Sequence, residues 1–166
     1  MIASKHVLVI VTIIWIGCAR LAAADGLFIE PGTGWDKSRD SNALFLRYQK
    51  DTSRLFRQES FYDFVLGDWN GENRNQVVSV ARGLRLPFFQ DRTYFSLELG
   101  LGYVTNITDN LGTHFQFLPR FAFAQRIGKL ELGVGYIHVS NCQVILQWHG
   151  PNRSDNFLTF FIGYPF

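Results

Sequence analysis

Residues 94–103 read Tyr94-Phe95-Ser96-Leu97-Glu98-Leu99-Gly100-Leu101-Gly102-Tyr103. The odd positions from Phe95 to Tyr103 are bulky, while the even positions from Ser96 to Gly102 are small or acidic. Side chains of a β-strand point alternately to its two faces, so this decapeptide is a strand with one greasy face and one modest face. The pattern recurs. In 115–124 Phe115, Phe117, Phe121 and Phe123 oppose Gln116, Arg120, Ala122 and Ala124, and in 131–136 Leu132, Val134 and Tyr136 oppose Glu131, Gly133 and Gly135. Residues 158–166 place Leu158, Phe160, Ile162, Tyr164 and Phe166 on one side. Segments 77–86 and 43–48 alternate in the same way, and 27–35 and 61–69 do so less regularly. Eight strands are expected.

The choice of large side chains separates two kinds of all-β protein. A soluble sandwich fills its buried face with bulk, whereas here the second face carries Gly, Ala, Ser, Glu and Arg. A small barrel in lipid reverses the arrangement, with an apolar band outside and modest polar side chains inside. Closure is then compulsory, because hydrocarbon cannot satisfy the backbone groups of an open edge. The rival, a lipocalin-like soluble barrel, would put the large set inward around a ligand. Polar turn clusters at 68–73, 105–110 and 150–154 separate the runs.

Composition agrees. The chain is 47% hydrophobic and 16% aromatic, with only 18% charged residues. That charged share is low against the roughly 25% of soluble domains, which also excludes disorder. Residues 1–24 combine a basic start (Lys5, His6), an apolar run from Val7 to Gly17 and Ala22-Ala23-Ala24 before Asp25. Such a segment is a secretory signal peptide with an A-x-A cleavage site. Lipoprotein processing at Cys18 is the weaker variant, since Trp15 stands where a small aliphatic residue is expected. Beyond residue 24 no apolar stretch nears the ~20 residues of a membrane helix. The expected organisation is therefore a signal at 1–24 and an eight-stranded antiparallel transmembrane β-barrel at 25–166. Subtracting 24 from 166 leaves 142 residues, enough for eight strands of about 9–11 residues with their turns. Lys5 and Arg20 leave with the signal, so 14 basic residues face 14 acidic ones. A neutral chain gives no reason to expect nucleic acid as a partner.

Chemistry concentrates near the end of the chain. His138 and Ser140 share the face of Leu132, Val134 and Tyr136, the outer face of the expected barrel. Residues i and i+2 lie about 6.5–7 Å apart along a strand, a spacing at which an imidazole can serve a hydroxyl as general base. As rim residues they could equally bind only water and headgroups. Cys142, the one thiol left after cleavage, has the same parity but no base of its own. His114 and His149 lack carboxylate or Cys partners at ligand spacing, so no metal site is expected. Arg82 interrupts an outward apolar set and fits snorkelling toward a headgroup. No phosphate loop or dinucleotide fingerprint occurs.

The run Gly135-Tyr136-Ile137-His138-Val139-Ser140-Asn141, followed by Pro151-Asn152 and a short final strand ending in an aromatic residue, resembles the lipid A 3-O-deacylase family. The resemblance implies a Gram-negative outer-membrane barrel that removes the ester-linked 3-hydroxyacyl chain at position 3 of lipid A, without a cofactor, with its site facing the outer leaflet. It implies His138 as base, Ser140 as nucleophile, Asn141 as oxyanion donor and an acidic residue as third member, with Tyr136, Leu158 and Phe160 lining an acyl groove. Where the family's acid falls, this chain has Asn156. The nearby carboxylate is Asp155, which parity turns to the lumen unless a bulge re-aims it. Lipopolysaccharide is the expected partner, a homodimer is compatible with such a barrel, and the alternative function is a non-catalytic structural or adhesive barrel.

Overall fold

A computed structural model describes residues 26–38, 40–70, 74–89, 92–141 and 153–166. The expected signal peptide, Cys142 and His149 lie outside the described residues. Eight strands form: β1 (Gly26–Trp35), β2 (Asn42–Leu55), β3 (Gln58–Asn70), β4 (Asn75–Phe89), β5 (Thr93–Val104), β6 (Phe115–Ile127), β7 (Leu130–Val139) and β8 (Asp155–Pro165). A 3₁₀ turn, η1 (Asp36–Ser38), follows β1. Each strand pairs antiparallel with the next, and β8 returns to β1, so the sheet closes into an eight-stranded barrel. All eight expected runs are strands, longer than the alternation alone marked.

The two ends of the barrel differ. At the end where β1 begins and β8 finishes, the connections are two or three residues long. Phe56 and Arg57 join β2 to β3 with φ of 51° and 68°, the paired left-handed conformation of a two-residue hairpin whose twist matches the flanking strands. At the other end the connections run from four to fifteen residues. Short turns on one side and long loops on the other are the habit of outer-membrane barrels.

Parity behaves as the alternation requires. Leu99 is 61% exposed and its neighbour Glu98 only 6%, so the bulky set of β5 covers the outside. The same holds for Val78 and Val80, Phe121 and Phe123, and Leu158, Phe160 and Ile162. Exposed aromatics gather near both ends, with Phe56, Phe88 and Phe166 at the short-turn end and Trp35, Tyr103 and Phe115 at the long-loop end. Arg82 stays on the outer wall, over the Tyr62 ring at 4.5 Å and bonded to Ser60 Oγ at 2.8 Å. Its local partners hold the guanidinium against the wall.

The interior corrects one expectation. It is not filled by modest polar side chains alone, because Phe28, Phe45, Phe61, Trp69, Phe157 and Phe161 are all buried. Phe45, Trp69 and Phe157 pack together at centroid distances of 5.4–6.5 Å, in one cluster with Leu111 and Val139. Glycine on the facing strand makes the room: a Cβ at Gly133 would stand 2.3 Å from the Phe161 ring, and one at Gly83 2.3 Å from Phe61. Between the aromatic layers lies a charged one. Arg47 of β2 reaches Glu30 at 2.8 Å, Asp63 through Nε at 2.8 Å, and Glu98, while Arg120 of β6 reaches Glu30 at 3.0 Å and Glu98 at 2.6 Å. These pairs tie β1, β2, β3, β5 and β6 together across the interior of the barrel.

Candidate active site

His138 and Ser140 lie at the long-loop end, on the outer side of the wall. Ile137 and Val139 are buried inward, so the intervening positions turn outward. β7 ends at Val139, yet Ser140 is fixed by a further bridge to Phe117, with Phe117 N–H donating to Ser140 O at 2.6 Å and Ser140 N–H to Phe117 O at 3.0 Å. The regular β6–β7 register stops at Arg120 and Ile137, and the cause is Pro119. A proline has no N–H to give, so the pair that Pro119 makes opposite His138 loses one rung. The nucleophile candidate is thus held by a separate pair of bonds beyond a break in the ladder.

Asn156 stands directly across from His138 in the β7–β8 register. Its Oδ1 is 2.7 Å from His138 Nδ1 and accepts the Tyr136 hydroxyl at 2.6 Å. The amide's orientation follows from its other end. Ser154 Oγ donates to Arg153 O at 2.6 Å, so toward Asn156 it can act only as acceptor, and it receives Nδ2 at 3.2 Å. Oxygen therefore faces the imidazole. A carbonyl oxygen accepts, so His138 Nδ1 carries the proton and Nε2 is left as the basic nitrogen. That tautomer is the one a general base for Ser140 needs.

The entry to β8 is fastened on the inner side. Asp155 is buried, and its Oδ1 accepts Ser38 Oγ at 2.9 Å and Asn110 Nδ2 at 2.8 Å. Ser38 Oγ in turn accepts the Asn156 N–H at 3.1 Å. Asn110 O receives the N–H groups of Arg153 and Ser154 at 2.9 and 3.0 Å, which holds Ser154 in the left-handed region at φ 60°. No bulge re-aims Asp155 toward His138. Of the two sequence candidates for the third member, Asn156 meets the imidazole and Asp155 anchors the strand.

Other expectations are redistributed. Asn141 is buried, and its Nδ2 donates to Leu111 O at 3.2 Å, on the inward parity of the chain. In this conformation its amide does not face the His138 side, so an oxyanion role requires it to turn from Leu111. Tyr136 is a hydrogen-bonding partner of Asn156 as well as wall, whereas Leu158 and Phe160 remain exposed and apolar. His114 binds Val104 O through Nδ1 at 2.8 Å and stacks on Tyr103 at 4.9 Å. No group of three His, Cys, Asp or Glu among the described residues is placed to hold a metal ion. Sequence reading missed Trp35, exposed on the outer wall as the register partner of Asn156 across β1 and β8. It also missed the clamp that Ser38 and Asn110 place on Asp155, which joins residues 117 and 45 positions apart and leaves no local signal.

Comparison with known proteins adds to this geometry. No curated protein sequence matches the chain significantly. The crystal structure of the outer membrane enzyme PagL superimposes with a TM-score of 0.64 at 18% identity, covering 85% of this chain and 99% of that one. The Yersinia pestis outer membrane protein Ail in phospholipid nanodiscs superimposes with a TM-score of 0.53 at 10% identity, over 86% and 99%. At such identities both likenesses speak for the fold. The comparisons give a homodimer no support. The family model of lipid A 3-O-deacylase (PagL) matches residues 42–165, from the first residue of β2 through the last of β8 and across every candidate residue on β7 and β8, and the chain belongs to that family.

Proposed function

We propose that this chain is an outer-membrane esterase that hydrolyses the ester-linked 3-hydroxyacyl chain at position 3 of lipid A by a Ser-His mechanism. The observation that carries the reading is the outward His138–Asn156 pair at 2.7 Å, two residues along the same face from Ser140. The long-loop end is the outer one in this reading, which brings the pair to the leaflet that holds lipopolysaccharide. Substrate reaches a site on the exterior wall without leaving the bilayer, and Leu158 and Phe160 offer its acyl chain an apolar bed.

The chemistry uses the chain's own groups. Ser140 Oγ attacks the ester carbonyl while His138 Nε2 takes the hydroxyl proton. Asn141 turns from Leu111 to receive the oxyanion. Collapse expels the sugar alkoxide, which takes the proton from the imidazolium, and leaves an acyl-serine. Water, activated by the same nitrogen, then releases the hydroxy acid and restores Ser140. The test is mass spectrometry of lipid A from cells expressing the chain, in which the wild-type barrel removes one hydroxyacyl unit. Unchanged lipid A beside a properly inserted barrel favours the non-catalytic reading.

Ser140→Ala and His138→Ala are each expected to lower the rate by about 10², with the double variant no worse than either single one. In serine proteases loss of nucleophile or base costs about 10⁶, and loss of the third member about 10⁴, because the three act as a unit. A site that already lacks the carboxylate has only the remainder to lose. Single-turnover release of hydroxy acid from lipid A in micelles measures this directly.

A further inference from the structure

The apolar band of the outer wall is interrupted where β2, β3 and β4 run side by side. Lys50 and Tyr62 are register partners across β2 and β3, and Tyr62 and Arg82 across β3 and β4. All three turn outward, on the parity of Leu44, Phe64 and Val80 of the same strands. Toward the short-turn end that face continues as Thr52 and Ser60, again register partners, whereas β4 and β5 beside it carry Leu84, Leu86, Leu97 and Phe95. A polar notch is thus set into a greasy wall. Arg82 leans into it, with one Nη donating to Ser60 Oγ at 2.8 Å and the guanidinium 4.5 Å from the Tyr62 ring centroid. Ser60 pairs with Leu84, so the charged head has moved off β4 onto β3 and two residues toward the short turns. Strands lie about 4.8 Å apart, and one such spacing now separates the guanidinium from the strand that carries Lys50. Thr52 Oγ1 holds Ser60 Oγ in place at 3.0 Å.

Neither cation has a counter-charge. No ion pair among the described residues includes Lys50 or Arg82. By parity the acid on the outward face of these three strands is Asp68, and it stands at the long-loop end with Arg74 at 3.2 Å. An outward cation is destabilising at the bilayer midplane and far less so near a headgroup layer. The short turns of such barrels face the periplasm, so the layer next to this notch belongs to the inner leaflet, at the opposite end of the wall from Ser140. Lipopolysaccharide occupies the other leaflet. We propose that Lys50 and Arg82 bind the phosphate of an anionic glycerophospholipid of the inner leaflet, with Tyr62 beneath the headgroup and the acyl chains running toward mid-bilayer over Phe64 and Val80. Arg82 has N–H groups beyond the one given to Ser60, and phosphate oxygens take them in short, charge-assisted bonds. Lys50 adds a compact charge on a flexible stem. The site is independent of the Ser-His chemistry, whose residues lie on other strands.

The experiment is native mass spectrometry of the folded barrel in detergent micelles, titrated with phosphatidylglycerol or with phosphatidylcholine, and heat-modifiable gel migration checks folding. Wild type is expected to prefer phosphatidylglycerol. The double variant Lys50→Gln, Arg82→Gln is expected to bind it about 25-fold more weakly, about fivefold for each cation, from the contribution of a Lys or Arg beside an anionic headgroup. Lys50→Gln alone, which leaves the Arg82–Ser60 bond in place, is expected to lose about fivefold. Arg92→Gln with Lys129→Gln removes the same charge from exposed turns at the same end of the barrel and is expected to keep wild-type affinity. Lipid A, offered to a Ser140→Ala barrel that cannot consume it, is expected to bind equally with and without the two substitutions in the notch. Wild-type affinity for phosphatidylglycerol in folded Lys50→Gln and in the folded double variant overturns the proposal. An equal loss in the Arg92, Lys129 control overturns it too, since the attraction is then unspecific. If lipid A binding falls with the notch substitutions, the notch serves that lipid and the assignment to a glycerophospholipid fails.

Discussion

Arg47→Met is expected to destabilise the barrel by about 3–5 kcal/mol, the range for removing one partner of a buried ionic cluster. The guanidinium sits where β1, β2, β3 and β5 converge, bonded to Glu30, Asp63 and Glu98 and almost wholly shielded from solvent. Arg120 contacts two of those three carboxylates. Without Arg47, three buried acids face one cation, and Asp63 keeps no basic partner among the described residues. The methionine fills the volume of the aliphatic stem, so the loss reports charge rather than a cavity. Asp63→Asn serves as the contrast. It leaves two cations facing two carboxylates and is expected to be much better tolerated. Unfolding of the reconstituted barrel in urea, followed by tryptophan fluorescence and heat-modifiable migration, measures both. Equal stabilities of Arg47→Met and wild type would show that the lumenal cluster contributes nothing beyond filling space.

Much of this architecture is legible one strand at a time. Phe95, Leu97, Leu99 and Leu101 announce an outward apolar face because alternation is a local property of the backbone, and the structure exposes all four. The final strand declares itself in the same way through Leu158, Phe160, Ile162 and Tyr164. Parity counted back from Leu158 also puts Asn156 beside His138 and Asp155 inside, as their observed partners require. What alternation does not carry is the identity of the neighbour across the sheet. Phe161 is inside because Gly133 of the adjacent strand gives its ring room, and Phe28 lies inside next to Gly163 for the same reason. Asn141 looked like an oxyanion donor by position in a motif, but the Leu111 carbonyl that holds it comes from a loop thirty residues earlier.

Asn156→Asp is expected to raise kcat by between about 10² and 10⁴, the reverse of the loss that accompanies the carboxylate-to-amide exchange in a serine protease triad. The geometry already suits a carboxylate. Oδ1 lies 2.7 Å from His138 Nδ1 and also receives the Tyr136 hydroxyl, so an acid there gains two donors at once, and bonds to an ionised acceptor are roughly twice as strong as neutral ones. The exchange removes the Nδ2 donation to Ser154 Oγ. That hydroxyl can rotate from the Arg153 carbonyl to give its proton to the second carboxylate oxygen. Asn156→Ala is expected to move the other way, toward the rate of Ser140→Ala, because nothing then fixes the tautomer of His138. Asp155→Ala serves as the positional control. It disturbs Ser38 and Asn110 on the inner side but leaves the His138–Asn156 bond in place, so it should not mimic Asn156→Ala in single-turnover assays. In the Asn156→Asp background the cost of Ser140→Ala grows to about 10⁶, because the reconstituted unit again has its full advantage to lose. A folded Asn156→Asp barrel no faster than wild type would show that Asn156 does not act on His138 during the chemical step, and with it the triad assignment falls.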